Sequence, residues 1–179
     1  MKVLIINGSN RHGNTDILIE KIKTQFSNKP VEVRELVLRQ IEMKLPDGCE
    51  QCAESEICPN IKDQFSEEIE PTIRDYDIYI IATPTWDDGV TPLTKIFWDR
   101  IVSWCSEKRL YLKNKKLAIV THGMADENSW NNVINWVKSV CKWEYCKFGG
   151  SLTMKSSGKV GDIKIEEDKI KSFISSLID

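Results

Sequence analysis

The chain has 179 residues, 25 Lys and Arg against 27 Asp and Glu, and a net charge of −2. That length fits one domain with a sizeable core, and the balanced charge offers no positive field for nucleic acid and no block of like charge for a membrane surface or disordered tail. No apolar run approaches the roughly 20 residues of a bilayer span, and strand-like sequence begins at Lys2, so neither a membrane segment nor a signal peptide is expected and the expected location is cytoplasmic.

The first element is an apolar strand over 2–7, followed by Gly8, Ser9, Asn10, Arg11, His12, Gly13, Asn14 and Thr15. A helix then follows, with Ile17, Leu18, Ile22 and Phe26 on its buried side. A strand that stops in small, hydroxyl and amide residues before a helix presents unpaired N–H groups at the positive end of the helix dipole. Arg11 adds a permanent charge, and Ser9, Asn14 and Thr15 add neutral donors. The expected guest is a phosphorylated cofactor, although turn geometry alone also selects Gly, Ser and Asn. No lysine occurs from position 3 to 20, which removes the nucleotide-hydrolase loop, and the glycines do not follow G-x-G-x-x-G. The first cysteine is Cys49, so the loop carries no thiolate nucleophile.

A second strand is predicted over 31–37. From about 38 to 62 periodicity lapses, in an insert that holds Cys49, Cys52 and Cys58 at C-x₂-C-x₅-C spacing and reads as a lid or mobile segment. The second helix is predicted from about Asp63 to Arg74, with a break or kink at Pro71. A third strand over 77–83 runs into Thr83, Pro84, Thr85, Trp86, Asp87, Asp88 and Gly89. There Trp86 either offers an aromatic face to a flat ring or caps the core edge, Gly89 permits a turn, and Asp87 and Asp88 are expected to face water. Thr91 as N-cap and Pro92 at the first helical position start the third helix, with Leu93, Ile96, Phe97, Ile101 and Trp104 on its buried side. A fourth strand over 116–121 precedes a loop of Thr121, His122, Gly123 and Met124. The fourth helix carries Trp130, Val133, Ile134, Val137, Val140 and Cys141, and a fifth strand follows over 147–154. Ile170, Phe173, Ile174 and Leu177 mark the last helix. Cys105, Cys141 and Cys146 are expected to pack as small hydrophobes.

This alternation predicts a parallel sheet whose ligand site lies beyond the carboxyl ends of the strands. Taken with Thr91 to Arg100, the motifs from Gly8 to Thr15 and from Thr83 to Trp86 resemble the NAD(P)H-dependent FMN reductase family, over most of the chain. The resemblance implies a three-layer flavodoxin-like α/β fold: one domain over 1–179, with a five-stranded sheet of order 2-1-3-4-5 and helices on both faces. It implies FMN, its phosphate held by Ser9, Arg11, Gly13, Asn14 and Thr15 and its ring lined by Pro84, Thr85, Trp86 and Asp87. Trp86 stands where the family usually has tyrosine. Backbone amides of Thr121, His122, Gly123 and Met124 would stabilise negative charge on the ring, with His122 contributing if protonated; a merely solvated histidine is the alternative. It further implies NAD(P)H as co-substrate, a small-molecule electron acceptor and a homodimer, with the chemistry carried by the flavin and no catalytic side chain.

Iron–sulfur flavoproteins, a branch similar in the same region, hold a [4Fe–4S] cluster on four thiolates. Here Pro46 takes the place of the first, leaving three readings of the trio open: ordinary reduced thiols, a metal site completed by water or another residue such as His12, or a redox dithiol. Three functions compete likewise: an FMN-dependent oxidoreductase, which these motifs favour; a non-catalytic electron carrier, for which a net charge of −2 supplies little acidic face; and a flavin-binding relative without turnover.

Overall fold

The computed structural model describes residues 1–101, 107–124 and 127–178. Five strands, β1 (Lys2–Asn7), β2 (Glu32–Val37), β3 (Ile78–Pro84), β4 (Lys116–Gly123) and β5 (Lys147–Lys155), form one parallel sheet in the order β2-β1-β3-β4-β5. The helices are α1 (Asn14–Phe26), α2 (Pro92–Ile101), α3 (Glu127–Trp143) and α4 (Glu167–Ile178). This is the flavodoxin-like architecture and strand order that the resemblance implied.

Alternation along the strands creates two cores, because successive side chains leave opposite faces of a sheet. Val3 and Ile5 of β1 pack with Leu18 and Ile22 of α1 and with Ile170, Phe173 and Leu177 of α4. Leu4 and Ile6 join Tyr79, Ile81, Phe97 of α2 and Val133 and Val137 of α3 on the other face. Burial on both faces explains why β1, β3 and β4 read as continuous apolar runs.

Two expected elements differ. The Asp63–Arg74 segment forms a π-helical turn at Phe65–Ile69 and a 3₁₀ stretch at Glu70–Asp75 rather than an α-helix. Asp63 and Ser66 cap its start reciprocally, Ser66 N–H donating to Asp63 Oδ1 (2.9 Å) and Asp63 N–H to Ser66 Oγ (3.1 Å). Pro71, lacking an N–H, interrupts the i→i−4 ladder just where the winding changes. Thr121, His122 and Gly123, expected in a loop, instead extend β4 and pair with Thr153, Met154 and Lys155 of β5. The N-cap at Thr91 is as expected, its Oγ accepting from the Thr94 N–H at 3.2 Å. Trp104 of the expected stripe and Cys105 lie outside the described residues. No helix among the described residues is long and apolar enough to cross a membrane.

Candidate functional site

The β1–α1 loop is held open by side chains around it. Asn7, at the end of β1, accepts the Ser9 N–H through Oδ1 (3.1 Å) and donates through Nδ2 to Asp16 (3.1 Å) and Glu35 (2.9 Å). Asp16 also accepts the Gly13 N–H (2.8 Å) and the Arg39 guanidinium (2.6 Å). Burial opposes its charge, yet the Gly13 N–H, Arg39 and Asn7 outweigh it and hold its carboxyl below the usual range. With those groups engaged, the N–H groups of Asn10 and His12 in the loop, and of Asn14 and Thr15 in the first turn of α1, have no protein acceptor among the described residues, the last two as a helix start requires.

Gly8 fixes the loop against α2. Its N–H donates to Ala82 O (2.8 Å), its carbonyl accepts the Thr91 hydroxyl, and a Cβ there would lie 1.8 Å from Thr94 Oγ1. Only glycine fits this approach between the two loops.

A cavity of about 420 Å³ opens at the carboxyl ends of the strands, within the usual range of small-molecule sites. Ser9, Arg11, Gly13, Asn14 and Thr15 line one end, while Pro84, Thr85, Trp86, Asp87, His122 and Gly123 line the rest. The structure thus brings together eleven of the twelve expected site residues. Thr121 is the exception: it is buried, and its hydroxyl lies 2.9 Å from Thr85 Oγ1, so it positions the Thr85 loop from below.

Several expected donors are engaged elsewhere. The Asn14 amide donates to Lys159 O (2.9 Å) and Asp162 (2.8 Å) and accepts the Gly161 N–H (2.7 Å), binding the loop after β5 to the start of α1. Arg11 donates to Gly158 O at 2.6 Å. Thr15 Oγ1 lies 2.8 Å from His122 Nε2, and Ser156 Oγ lies 3.0 Å from His122 Nδ1. A neutral imidazole has one donor and one acceptor nitrogen, so it accepts from one of these hydroxyls and donates to the other. Burial pushes the His122 pKa down to about 4 against the pull of Asp162. Both readings of His122 are therefore corrected, the solvated loop histidine and the protonated contributor: it is a neutral buried bridge between α1 and the loop after β5.

The Trp86 loop closes as a two-residue hairpin, Trp86 and Gly89 exchanging N–H···O bonds of 2.9 and 2.8 Å. Asp87 and Asp88, not Gly89, carry its positive φ values of 44° and 60°, the type I′ pattern that Asp tolerates. Both aspartates are exposed, as expected, at the rim of the cavity they help to line, and Asp88 accepts the Ser129 hydroxyl of α3. Trp86 stays 46% exposed, presenting its ring at the rim.

Sequence reasoning missed the contribution of the loop after β5: Ser156, Ser157, Gly158 and Val160 complete the lining. The signal was a Ser-Ser-Gly run directly after a strand, the same composition that marked the first loop.

The cysteine insert is a separate region. Cys49 is exposed, and its sulfur accepts from Asn60 Nδ2 at 3.3 Å; Cys58 sulfur accepts the Ile61 N–H at 3.4 Å. A second cavity of about 240 Å³ lies between the three cysteines and Asp99, Arg100 and Arg109. Its base rests on two buried ion pairs. Arg100 donates to both oxygens of Asp63 (2.6 and 3.1 Å), and Arg109 to Glu70 (2.5 Å), whose other oxygen accepts the Cys58 N–H (3.1 Å). Burial opposes the Asp63 charge, but Arg100 and the Lys44 and Ser66 N–H groups hold its carboxyl well below the usual range. Among the described residues no three His, Cys, Asp or Glu side chains converge to hold a metal ion, and with three thiols the insert does not fit a four-thiolate cluster.

Comparison with known proteins accords with this architecture. An iron-sulfur flavoprotein of Methanocaldococcus jannaschii is 32% identical over 101 residues, 56% of this chain and 51% of that protein, so the chain spans about half the length of this curated relative. Among solved structures, RosB with a bound 8-demethyl-8-formylriboflavin-5′-phosphate superposes with a TM-score of 0.70 at 17% identity, covering 99% of this chain and 77% of RosB. Oxidised flavodoxin 1 of Bacillus cereus gives 0.64 at 14% identity over 99% of this chain and 97% of the flavodoxin, a likeness of fold. The sequence model for NADPH-dependent FMN reductase matches residues 1–141, and the chain belongs to that family.

Proposed function

We propose that this chain is an FMN-dependent oxidoreductase that accepts electrons from NADH or NADPH and passes them to a flavin, quinone or other small acceptor. The observation that carries this reading is one cavity joining free N–H donors at the start of α1 to an exposed indole and the end of β4. FMN, when bound, supplies the hydride and electron chemistry.

The chain's own residues bind and orient. The Asn14 and Thr15 N–H groups, the Ser9 hydroxyl and Arg11 would hold the phosphate, with the α1 dipole aiding them. Ser9 Oγ now donates to Arg11 O (2.7 Å) and Arg11 to Gly158 O, so both turn from internal acceptors to the guest. Pro84, Thr85 and Trp86 would face the ring. Asp87 and Asp88 add negative charge to that end of the cavity, opposing further electron density there and so lowering the reduction potential of the bound group.

Titration of the apoprotein with FMN tests the phosphate assignment. Arg11→Ala is expected to weaken binding by about 2 kcal/mol, as for loss of one charge-assisted contact; unchanged affinity would remove Arg11 from the site. Anaerobic addition of NADPH or NADH to the holoprotein then tests turnover. Bleaching at a catalytic rate supports the oxidoreductase, and a yellow protein indifferent to both favours a carrier of the flavodoxin kind.

A further inference from the structure

Helix α3 ends in a closure with an unusual pair of residues. After Trp143, the last helical residue, Tyr145 adopts a left-handed φ of 52° and the Cys146 N–H donates to Cys141 O at 3.0 Å. This six-to-one bond with a left-handed residue before its donor is a Schellman motif, which brings the side chains of its first and sixth residues together, ordinarily as an apolar contact. Here both are cysteines with free thiols, Cys141 buried in the core, as expected of a small hydrophobe, and Cys146 partly buried against it.

The backbone already meets the geometric demand of a covalent link. A main-chain N···O bond of 3.0 Å holds the two Cα atoms about 5–6 Å apart, inside the range of natural disulfides. The turn is fixed from both sides, Tyr145 O accepting the Asn114 N–H (3.0 Å) and the Lys147 N–H donating to Lys115 O (2.8 Å). The neighbouring Cys146 thiol holds the Cys141 thiol below its ordinary range, whereas Cys146 is pushed up by Cys141, by burial and by Glu144. In such a pair the sulfur that loses its proton first is the nucleophile. Neither residue lines the strand-end cavity, so the pair is independent of the flavin reading.

We propose that Cys141 and Cys146 are a peroxide-sensitive dithiol that closes reversibly into a disulfide across the C-terminus of α3. The Cys141 thiolate attacks one peroxide oxygen, the O–O bond breaks, and the departing hydroxide combines with the proton that the thiol lost, giving water and a sulfenic acid. The Cys146 sulfur then displaces the sulfenic oxygen; the S–S bond forms, and hydroxyl and thiol proton leave as a second water. Two thiols lose two electrons and one peroxide gains them.

Trypsin cleaves after Lys138, Lys142 and Lys147, so the two cysteines leave on separate peptides, 139–142 and 143–147, unless joined. The full chain is treated with a few equivalents of hydrogen peroxide, its remaining thiols are alkylated, and the digest is read by mass spectrometry. The expected result is the two peptides joined, two hydrogens lighter than their sum and released by dithiothreitol. Cys146→Ser is expected to leave Cys141 as a sulfenic acid that dimedone traps. Recovery of both peptides alkylated after peroxide, or of Cys141 joined to any cysteine other than Cys146, overturns the proposal.

Discussion

At the strand-end cavity most supporting side chains are paired, Arg39 keeping Nε and Nη1 buried without partners, and the spare donors are main-chain ones; under the cysteine loop the spare donors belong to side chains. Asn7, Asp16, Asn14 and His122 each have protein partners, leaving the N–H groups of Asn14 and Thr15 for a guest. In the insert, the Cys49 and Cys58 sulfurs accept local hydrogen bonds, and beneath them Nε of Arg100 and Nε and Nη1 of Arg109 are buried without partners among the described residues. A ligand site needs spare donors on a rigid support. Thiol spacing shows only that thiols are near one another, whereas a strand end, a helix start and a fixed turn together determine where a donor can lie.

The largest blow to this comparison falls on the base of the insert. Arg100→Ala leaves the Asp63 carboxylate, buried with its partner, without a counter-charge, and is expected to cost about 3–5 kcal/mol in urea unfolding. A loss below 1 kcal/mol would mean that the pair is not the insert's footing. Next comes acid. His122 has a folded pKa of about 4 against an ordinary 6.5, so the unfolded chain binds the proton first. Its contribution is fully present above pH 6.5 and is lost as pH falls towards 4, by on the order of 3 kcal/mol. Stability curves for wild type and His122→Gln should converge across that window; parallel curves would show that the imidazole is not held neutral. The smallest effect sharpens the contrast. Cys49→Ser, at an exposed thiol, is expected to shift stability by less than ~0.5 kcal/mol and to leave FMN affinity unchanged. A large loss accompanied by release of iron or zinc would make the insert a metal centre after all.

What could be read from the sequence was local. The Thr91-Pro92 start of α2, the apolar strands and the Gly8 to Thr15 loop each lie within a few residues, and backbone geometry dictates their form. In the Asp63–Arg74 segment the break expected at Pro71 is present as a change of winding, but the helical apolar period did not distinguish π and 3₁₀ turns from an α-helix. Glycine at position 89 suggested where the chain turns, while the left-handed residues are the aspartates before it.

The sequence by itself determined the alternation of strands and helices, the Gly8 to Thr15 loop and its family resemblance, since each rests on residue order over one or two turns. Tertiary structure alone decided that His122 is neutral between Thr15 and Ser156, that Asn14 binds the loop after β5, and that Asp63 pairs with Arg100. Those partners stand 107, 34, 148 and 37 residues apart. Burial and hydrogen-bond pairing depend on which segments the sheet brings side by side, and spacing along the chain carries no record of that.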